Sequence, residues 1–312
     1  MPGRRCLGWL ATAICATAAC GPADGDVEPL VPGAVHRFAT VVGERWHWVE
    51  SGSGPPLVVL HGFPESWYAW SELVETMASD FRVLAIDLKG AGLSSTSDGD
   101  YSVAAVADEL AALLEQIGVE RFYLAGHDWG GLIGARLAGE YPQRIIAYAH
   151  ISAPVERYDL SRMADLRDLH DDPESATALM LNAELFVQRM LGLTLAGGIE
   201  ALSVQRVQHH VDSFGRGDVR AATARYFRDL QLDDGWRLGD RARADWSRMG
   251  FPVLVVAGGR DLMVPLEEYL GMSARVPGLE RVAVIDGAGH YPHEERPLEV
   301  IDILQEFFEQ HE

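Results

Sequence analysis

An aspartate occupies the centre of Gly126-His127-Asp128-Trp129-Gly130, a Gly-x-x-x-Gly frame that projects one side chain from a tight strand-to-helix turn and usually carries serine there. A carboxylate with an ordinary pKa of about 3.9 is already ionised at neutral pH, so it attacks without a base to deprotonate it. Against an amide or ester carbonyl it would form an anhydride as reactive as the bond it replaces. Against a saturated carbon it displaces a leaving group and becomes an alkyl ester. Water must then open that ester, and a general base contributes typically about 10²–10⁴-fold to such a step. His290, in Gly-Ala-Gly-His, and Asp261, in Gly-Gly-Arg-Asp, are of the residue types that serve as base and as the acid orienting it. Each also has a purely structural use, the aspartates as helix caps and the histidine as a hydrogen-bonded core residue.

These three side chains can meet only if strands deliver them to one edge of a sheet. From Val35 onward, short β-branched runs alternate with helical segments, the pattern of a mostly parallel sheet flanked by helices. Eight strands are predicted: 36–42, 45–50, 57–60, 82–86, 122–126, 145–151, 253–257 and 281–285. The apolar runs before glycines read as strands buried on both faces, and the turn-sized break at Val42-Gly43-Glu44 predicts an antiparallel edge hairpin. Between Pro154 and about Asp245 the strand pattern gives way to helical spacing, with Leu185, Phe186, Met190 and Leu193 as its apolar stripe. The organisation predicted is a core of 35–154 and 246–312 with a helical cap, 155–245, lying over the carboxyl ends of the strands. Asp128, Asp261 and His290 each follow a predicted strand and stand at that edge.

The chain has 312 residues, 48% hydrophobic and 23% charged, enough for a sizeable core. Its net charge of −20, scattered and without a basic patch, disfavours nucleic acid and anionic membrane surfaces as partners. Arg4 and Arg5 precede an apolar run from Cys6 to Ala19, too short to span a bilayer and laid out as an export signal over residues 1–20. The expectation is a secreted, periplasmic or surface-anchored protein, with Cys20 as a candidate lipid acceptor; a disordered start upstream of the true N-terminus is the alternative. All three cysteines, Cys6, Cys15 and Cys20, fall in this segment, so no disulfide or cysteine metal site is expected in the body.

From about Val35 to the C-terminus the chain resembles the α/β-hydrolases of the epoxide hydrolase and haloalkane dehalogenase group. His61-Gly62-Phe63-Pro64-Glu65-Ser66-Trp67-Tyr68-Ala69-Trp70, the Asp128 turn, and the segments around Asp261 and His290 carry the resemblance, in the order nucleophile, acid, histidine. It implies an α/β-hydrolase fold with an inserted cap, a small hydrophobic substrate and water as reactants, no metal or organic cofactor, and a monomer or homodimer. It further implies that Asp128 is the nucleophile, that His290 activates water, that Asp261 orients it, and that the backbone N–H groups of Phe63 and Trp129 hold the oxyanion.

Epoxide opening also needs a proton donor for the ring oxygen, and related epoxide hydrolases take it from cap tyrosines, or a histidine and a tyrosine. Here the sequence departs from the pattern. Phe227, within Tyr226-Phe227-Arg228, occupies one donor position, and Leu166, ahead of Asp171-Asp172-Pro173, occupies the other. Tyr226, Tyr158 and His170 are the candidate replacements. A halide leaving group needs no proton, so a haloalkane or haloacid dehalogenase with Trp129 and Trp236 as halide donors is the second reading. A non-catalytic receptor of the same fold is the third.

Overall fold

The computed structural model describes residues 30–172 and 179–311; the segment expected to be an export signal, its three cysteines and Pro173 lie outside the described residues. Eight strands form one sheet: β1 Val35–Val41, β2 Glu44–Ser51, β3 Pro56–Leu60, β4 Arg82–Asp87, β5 Phe122–His127, β6 Ile145–Ile151, β7 Val253–Gly258 and β8 Leu279–Ile285. Their order is β1-β2-β4-β3-β5-β6-β7-β8. β1 pairs antiparallel with β2 as the expected edge hairpin, β2 pairs antiparallel with β4, and the rest are parallel. Predicted and observed strand ends differ by two residues at most.

The parallel strands are apolar on both faces because both faces are covered. Val58, Leu60, Leu84, Ile86 and Leu124 pack on helices α2 (Val103–Gln116) and α3 (Trp129–Glu140). Leu57, Val59, Val83, Ala85 and Tyr123 pack on α1 (Ser71–Met77) and the last helix, Pro297–Glu309. Alternate side chains of a strand face opposite ways, so one run of consecutive aliphatics feeds two cores.

Between β6 and β7, four helices of the described residues make the cap: α4 Ala164–Asp171, α5 Ala183–Thr194, α6 Val204–Phe214 and α7 Gly217–Asp229. Asn182 and Ser203 cap α5 and α6 by accepting the N–H groups of Leu185 and Arg206. The predicted stripe of α5 is corrected in part. Phe186 and Met190 are buried, with Val187 and Leu191, but Leu185 and Leu193 point outward at 63% and 47% exposure. The cap also holds two single-residue bridges, Arg157 with Arg237 and Leu232 with Leu238, that sequence periodicity did not indicate. Its apolar interior, including Tyr158, Leu166, Phe186 and Phe227, is continuous with the α2–α3 side of the core. Cap and sheet thus enclose a shared apolar space at the carboxyl ends of the strands. Among the described residues no helix is long and apolar enough to cross a membrane.

Candidate active site

β5 ends at His127, and Asp128 turns the chain into α3 with φ 46° and ψ −115°, a region an L-residue adopts at a cost. The turn projects the carboxylate beyond the sheet while keeping it buried. Such a turn needs close backbone approach. A Cβ on Gly130 would stand 2.5 Å from the Leu60 carbonyl oxygen and 2.6 Å from that of His61. Gly130→Ala is therefore expected to lower stability by about 1–3 kcal/mol, read as a fall in the urea midpoint at unchanged slope. A midpoint equal to that of the parent protein would show that the turn has slack.

The loop after β3 supplies a donor. Phe63 N–H points at Asp128 Oδ2, 3.0 Å away. Gly62 brings it there, because a Cβ at that position would stand 2.7 Å from Asp128 Cβ and 2.7 Å from His127 Nδ1. His61 shapes the same loop: its Nε2 accepts the Leu88 N–H at 3.1 Å and its Nδ1–H reaches the Gly62 carbonyl at 2.8 Å. Trp129 opens α3, so its N–H is one of the donors unused by the helix at that N-terminus.

The structure brings the other two triad candidates to the same place. His290 Nε2 is 3.7 Å from Asp128 Oδ1, and its Nδ1 is 2.9 Å from Asp261 Oδ2. Asp261 is held in turn, since its Oδ1 accepts the N–H groups of Met263 and Val264 at 2.8 and 3.0 Å. Burial works against a charge on either Asp128 or His290, yet each stabilises the other. Hydrogen bonding and charge from His290 hold the Asp128 carboxyl below its ordinary range, helped by His127 and the Phe63 N–H. Asp261, then Asp128, push the His290 imidazole up to about 10. At neutral pH the pair rests as carboxylate and imidazolium.

The three candidate proton donors separate. Tyr158 lies against Asp128, its hydroxyl 3.2 Å from Oδ1, the oxygen that also faces His290. Burial first, and the Asp128 charge second, push its phenol well above the ordinary value, so it keeps its proton. Tyr226 does not reach Asp128: its hydroxyl donates to the Lys89 carbonyl at 2.8 Å. Its ring still packs on Trp129 at 4.9 Å, and one residue along α7, a rotation of about 100°, the Phe227 ring meets Phe63 and Trp129, both at 5.7 Å. His170 is also elsewhere, at the end of α4, 3.1 Å from Asp171 Oδ1 and with its ring 5.9 Å from Trp236.

A narrow cavity opens onto Asp128 and His290, walled by Phe63, Tyr158, Leu166, Met190, Met263 and Tyr291. Beyond Phe63 and Trp129 it adjoins a second, walled by Phe214, Val219, Tyr226 and Phe227. Leu166 and Phe227 are both on these walls, which are mainly apolar; Tyr158, Thr194 and Tyr291 add polar groups beside Asp128 and His290, and His61, Glu65, Thr223 and Tyr226 add them in the second space. The cap is tied to the loop that bears His290. His290 N–H donates to the Thr194 carbonyl at 2.9 Å, and Glu295 accepts the N–H groups of Ala196 and Gly289 at 2.8 and 2.7 Å.

A buried cluster that the sequence did not indicate lies behind Asp128. Glu65, His127 and His293 place potential ligand atoms within 4.8 Å of one another, the one such group among the described residues. Hydrogen bonds join two of the three directly, His127 Nδ1 to Glu65 Oε2 at 2.9 Å, and tie them to Gly62 and His290. At the opposite edge, His36, His47 and Asp87 form a chain of contacts of 2.8 and 2.6 Å, while Asp87 accepts the N–H groups of Trp67 and Leu93, a polar network closing the sheet end. Neither cluster has a local periodicity, because its members come from elements far apart in sequence.

A family model described as alpha/beta hydrolase fold matches residues 55–297. The bifunctional epoxide hydrolase 2 of Sus scrofa is 28% identical over 303 residues, covering 86% of this chain. The chain spans about half the length of that relative, 54%. The soluble epoxide hydrolase of Corynebacterium sp. strain C12 is 27% identical over 285 residues, covering 88% of this chain and 96% of the relative. Among solved structures, epoxide hydrolase VrEH1 from Vigna radiata superposes with a TM-score of 0.76 at 25% identity, covering 89% of this chain and 98% of that one.

Proposed function

We infer, from the fact that this chain belongs to the alpha/beta hydrolase fold family and from the site it builds, that it hydrolyses epoxides to vicinal diols through an ester on Asp128. The observation that carries this reading is the Tyr158 hydroxyl standing 3.2 Å from Asp128 Oδ1. An acid beside the attacking oxygen is what an alkoxide leaving group requires and a halide does not. The names of the relatives point the same way.

In the first half-reaction Asp128 Oδ1 attacks a ring carbon while Oδ2 stays on the Phe63 N–H. The C–O bond breaks with its electron pair on oxygen, which takes the Tyr158 proton. The tyrosinate is repaid from the His290 imidazolium, which faces the same Asp128 oxygen. His290 is then neutral. Esterification has also removed the Asp128 charge, one of the influences raising its basicity, so the ring stays neutral and able to act as a base.

In the second half-reaction His290 Nε2 takes a proton from water as the oxygen attacks Asp128 Cγ. Negative charge gathers on Oδ2, where the N–H groups of Phe63 and Trp129 receive it. Collapse expels the diol oxygen, which is protonated by His290, and the new Asp128 carboxyl returns its proton to the ring. Asp261 holds the imidazolium throughout. The cavity walls favour a small, largely apolar epoxide.

Removing the base separates the halves. His290→Gln is expected to accumulate, on exposure to styrene oxide, a species heavier than the protein by the whole mass of the epoxide, mapping to the peptide that contains Asp128. Labelling by a haloalkane and not by epoxides would replace this reading with dehalogenation, which the apolar Leu166 and Phe227 favour. A folded variant labelled by neither would point to a receptor.

A further inference from the structure

His127, immediately before the nucleophile, stands between the two halves of the site. Its Nε2 is 2.8 Å from the His290 carbonyl oxygen and its Nδ1 is 2.9 Å from Glu65 Oε2. A carbonyl oxygen only accepts, so Nε2 carries a proton. Glu65 Oε2 also accepts the Gly62 N–H at 2.6 Å. Nitrogen atoms thus approach both carboxyl oxygens, Oε2 from Gly62 and His127 and Oε1 from His293 Nε2, the surroundings of an ionised carboxylate; burial opposes the charge, yet the carboxyl lies well below its ordinary range. An ionised carboxylate has no proton to give, so Nδ1 carries one too. A neutral imidazole has a single N–H; with both, the ring is a cation. The remaining groups around it do not alter this count. His293 lies with its ring 4.4 Å away and its Nε2 3.2 Å from Glu65 Oε1, and burial favours its neutral form. The rings of His290 and Tyr291 are each 5.1 Å away.

We infer that Glu65 and His127 form a fully buried ion pair whose work is positioning: it aims the Phe63 N–H at Asp128 Oδ2 and ties that aim to the loop bearing His290. The path is short. Glu65 grips the Gly62 N–H, the next peptide along presents the Phe63 N–H to the nucleophile, and the other side of the same pair grips the His290 carbonyl. Both residues act through others and touch no substrate. The consequence rests on the two-step reading given above. In ester formation the charge on the Asp128 carboxylate decreases, so an aimed donor gives that step no help; in ester hydrolysis the charge returns to Oδ2 and the donor is needed. Loss of the pair should slow the second half-reaction selectively.

Glu65→Gln breaks the pair in either amide orientation, because one oxygen serves both the Gly62 N–H and the His127 Nδ1–H and the amide carries no charge to hold the ring protonated. The expected results are two. In ¹⁵N-histidine NMR of the wild-type protein near pH 7.5, His127, assigned by its absence from His127→Gln, shows protons on both ring nitrogens. In Glu65→Gln, turnover of styrene oxide falls roughly 10–100-fold, the esterified protein becomes the dominant species in quenched reactions, and the rate of ester formation stays within about twofold of wild type. A single ring proton on wild-type His127, equal slowing of both half-reactions, or stoichiometric zinc bound with the protein would each overturn the inference. If Glu65→Gln fails to fold, the wild-type spectrum still decides. If no ester forms even in His290→Gln, the catalytic reading fails while the spectrum judges the ion pair independently.

Discussion

Replacing Asp128 with alanine is expected to abolish turnover, by about 10⁴-fold or more, in a protein that still folds. The reason is chemical. Every step of the proposed cycle forms or breaks a bond to this carboxylate, and none of the neighbouring groups can substitute: Asp261 is turned away, with Oδ1 on two backbone N–H groups and Oδ2 on His290. Folding should survive, because the variant removes a buried charge together with the bonds that stabilise it, and the strained φ of 46° is imposed by the surrounding turn in either case. His290 should become less basic, since it loses one of its two carboxylate partners. The measurement is steady-state hydrolysis beside a thermal melt. Multiple turnover by a folded Asp128→Ala protein would end the alkyl-ester reading altogether.

The second large effect is expected at Tyr158. Tyr158→Phe should reduce epoxide opening by about 10²–10⁴-fold, the usual range for a positioned general acid. Among the described residues, Tyr158 supplies the side-chain hydroxyl hydrogen-bonded to Asp128, and the two cap positions where a replacement could stand are Leu166 and Phe227. The loss should appear in the rate of ester formation and leave decay of a preformed ester close to unchanged, because ester hydrolysis draws its proton transfers from His290. Rapid-quench mass spectrometry separates the two. An epoxide-opening rate equal to wild type would remove Tyr158 from the mechanism, and with it the observation that favours an epoxide over a halide. Tyr226→Phe serves as the comparison. Its hydroxyl is spent on the Lys89 carbonyl, so its loss should affect stability by about 1 kcal/mol and the chemistry little.

The comparison of Tyr158 with Tyr226 also marks how far the site was legible before folding. By resemblance the sequence pointed to Tyr226, one position from a familiar donor, and listed Tyr158 without preference. On a helix that single step redirects the hydroxyl: Tyr226 keeps its ring against Trp129 but donates its hydroxyl to the Lys89 carbonyl, while Phe227 beside it packs on Phe63. Tyr158 is not on a helix at all: it lies between β6 and α4, held by its N–H on the Trp236 carbonyl. Its approach to Asp128 depends on a contact with the far end of the cap.

What the amino-acid sequence determined by itself was everything that local chemistry encodes. Runs of aliphatics bounded by glycines specify strands, since few other conformations bury them on both sides. The glycines around Asp128 specify a turn too tight for any Cβ, and the placement of Asp261 and His290 just past strands specifies which edge of the sheet they share. Only the tertiary structure decided which hydroxyl meets the nucleophile, that Tyr226 and His170 do not, and that Glu65, His127 and His293 form one cluster behind it. Those outcomes are contacts between residues 30 to 228 positions apart. No periodicity reports such contacts, because they arise from the packing of whole elements against each other, where a displacement of an ångström or one residue of helical phase changes which atoms touch.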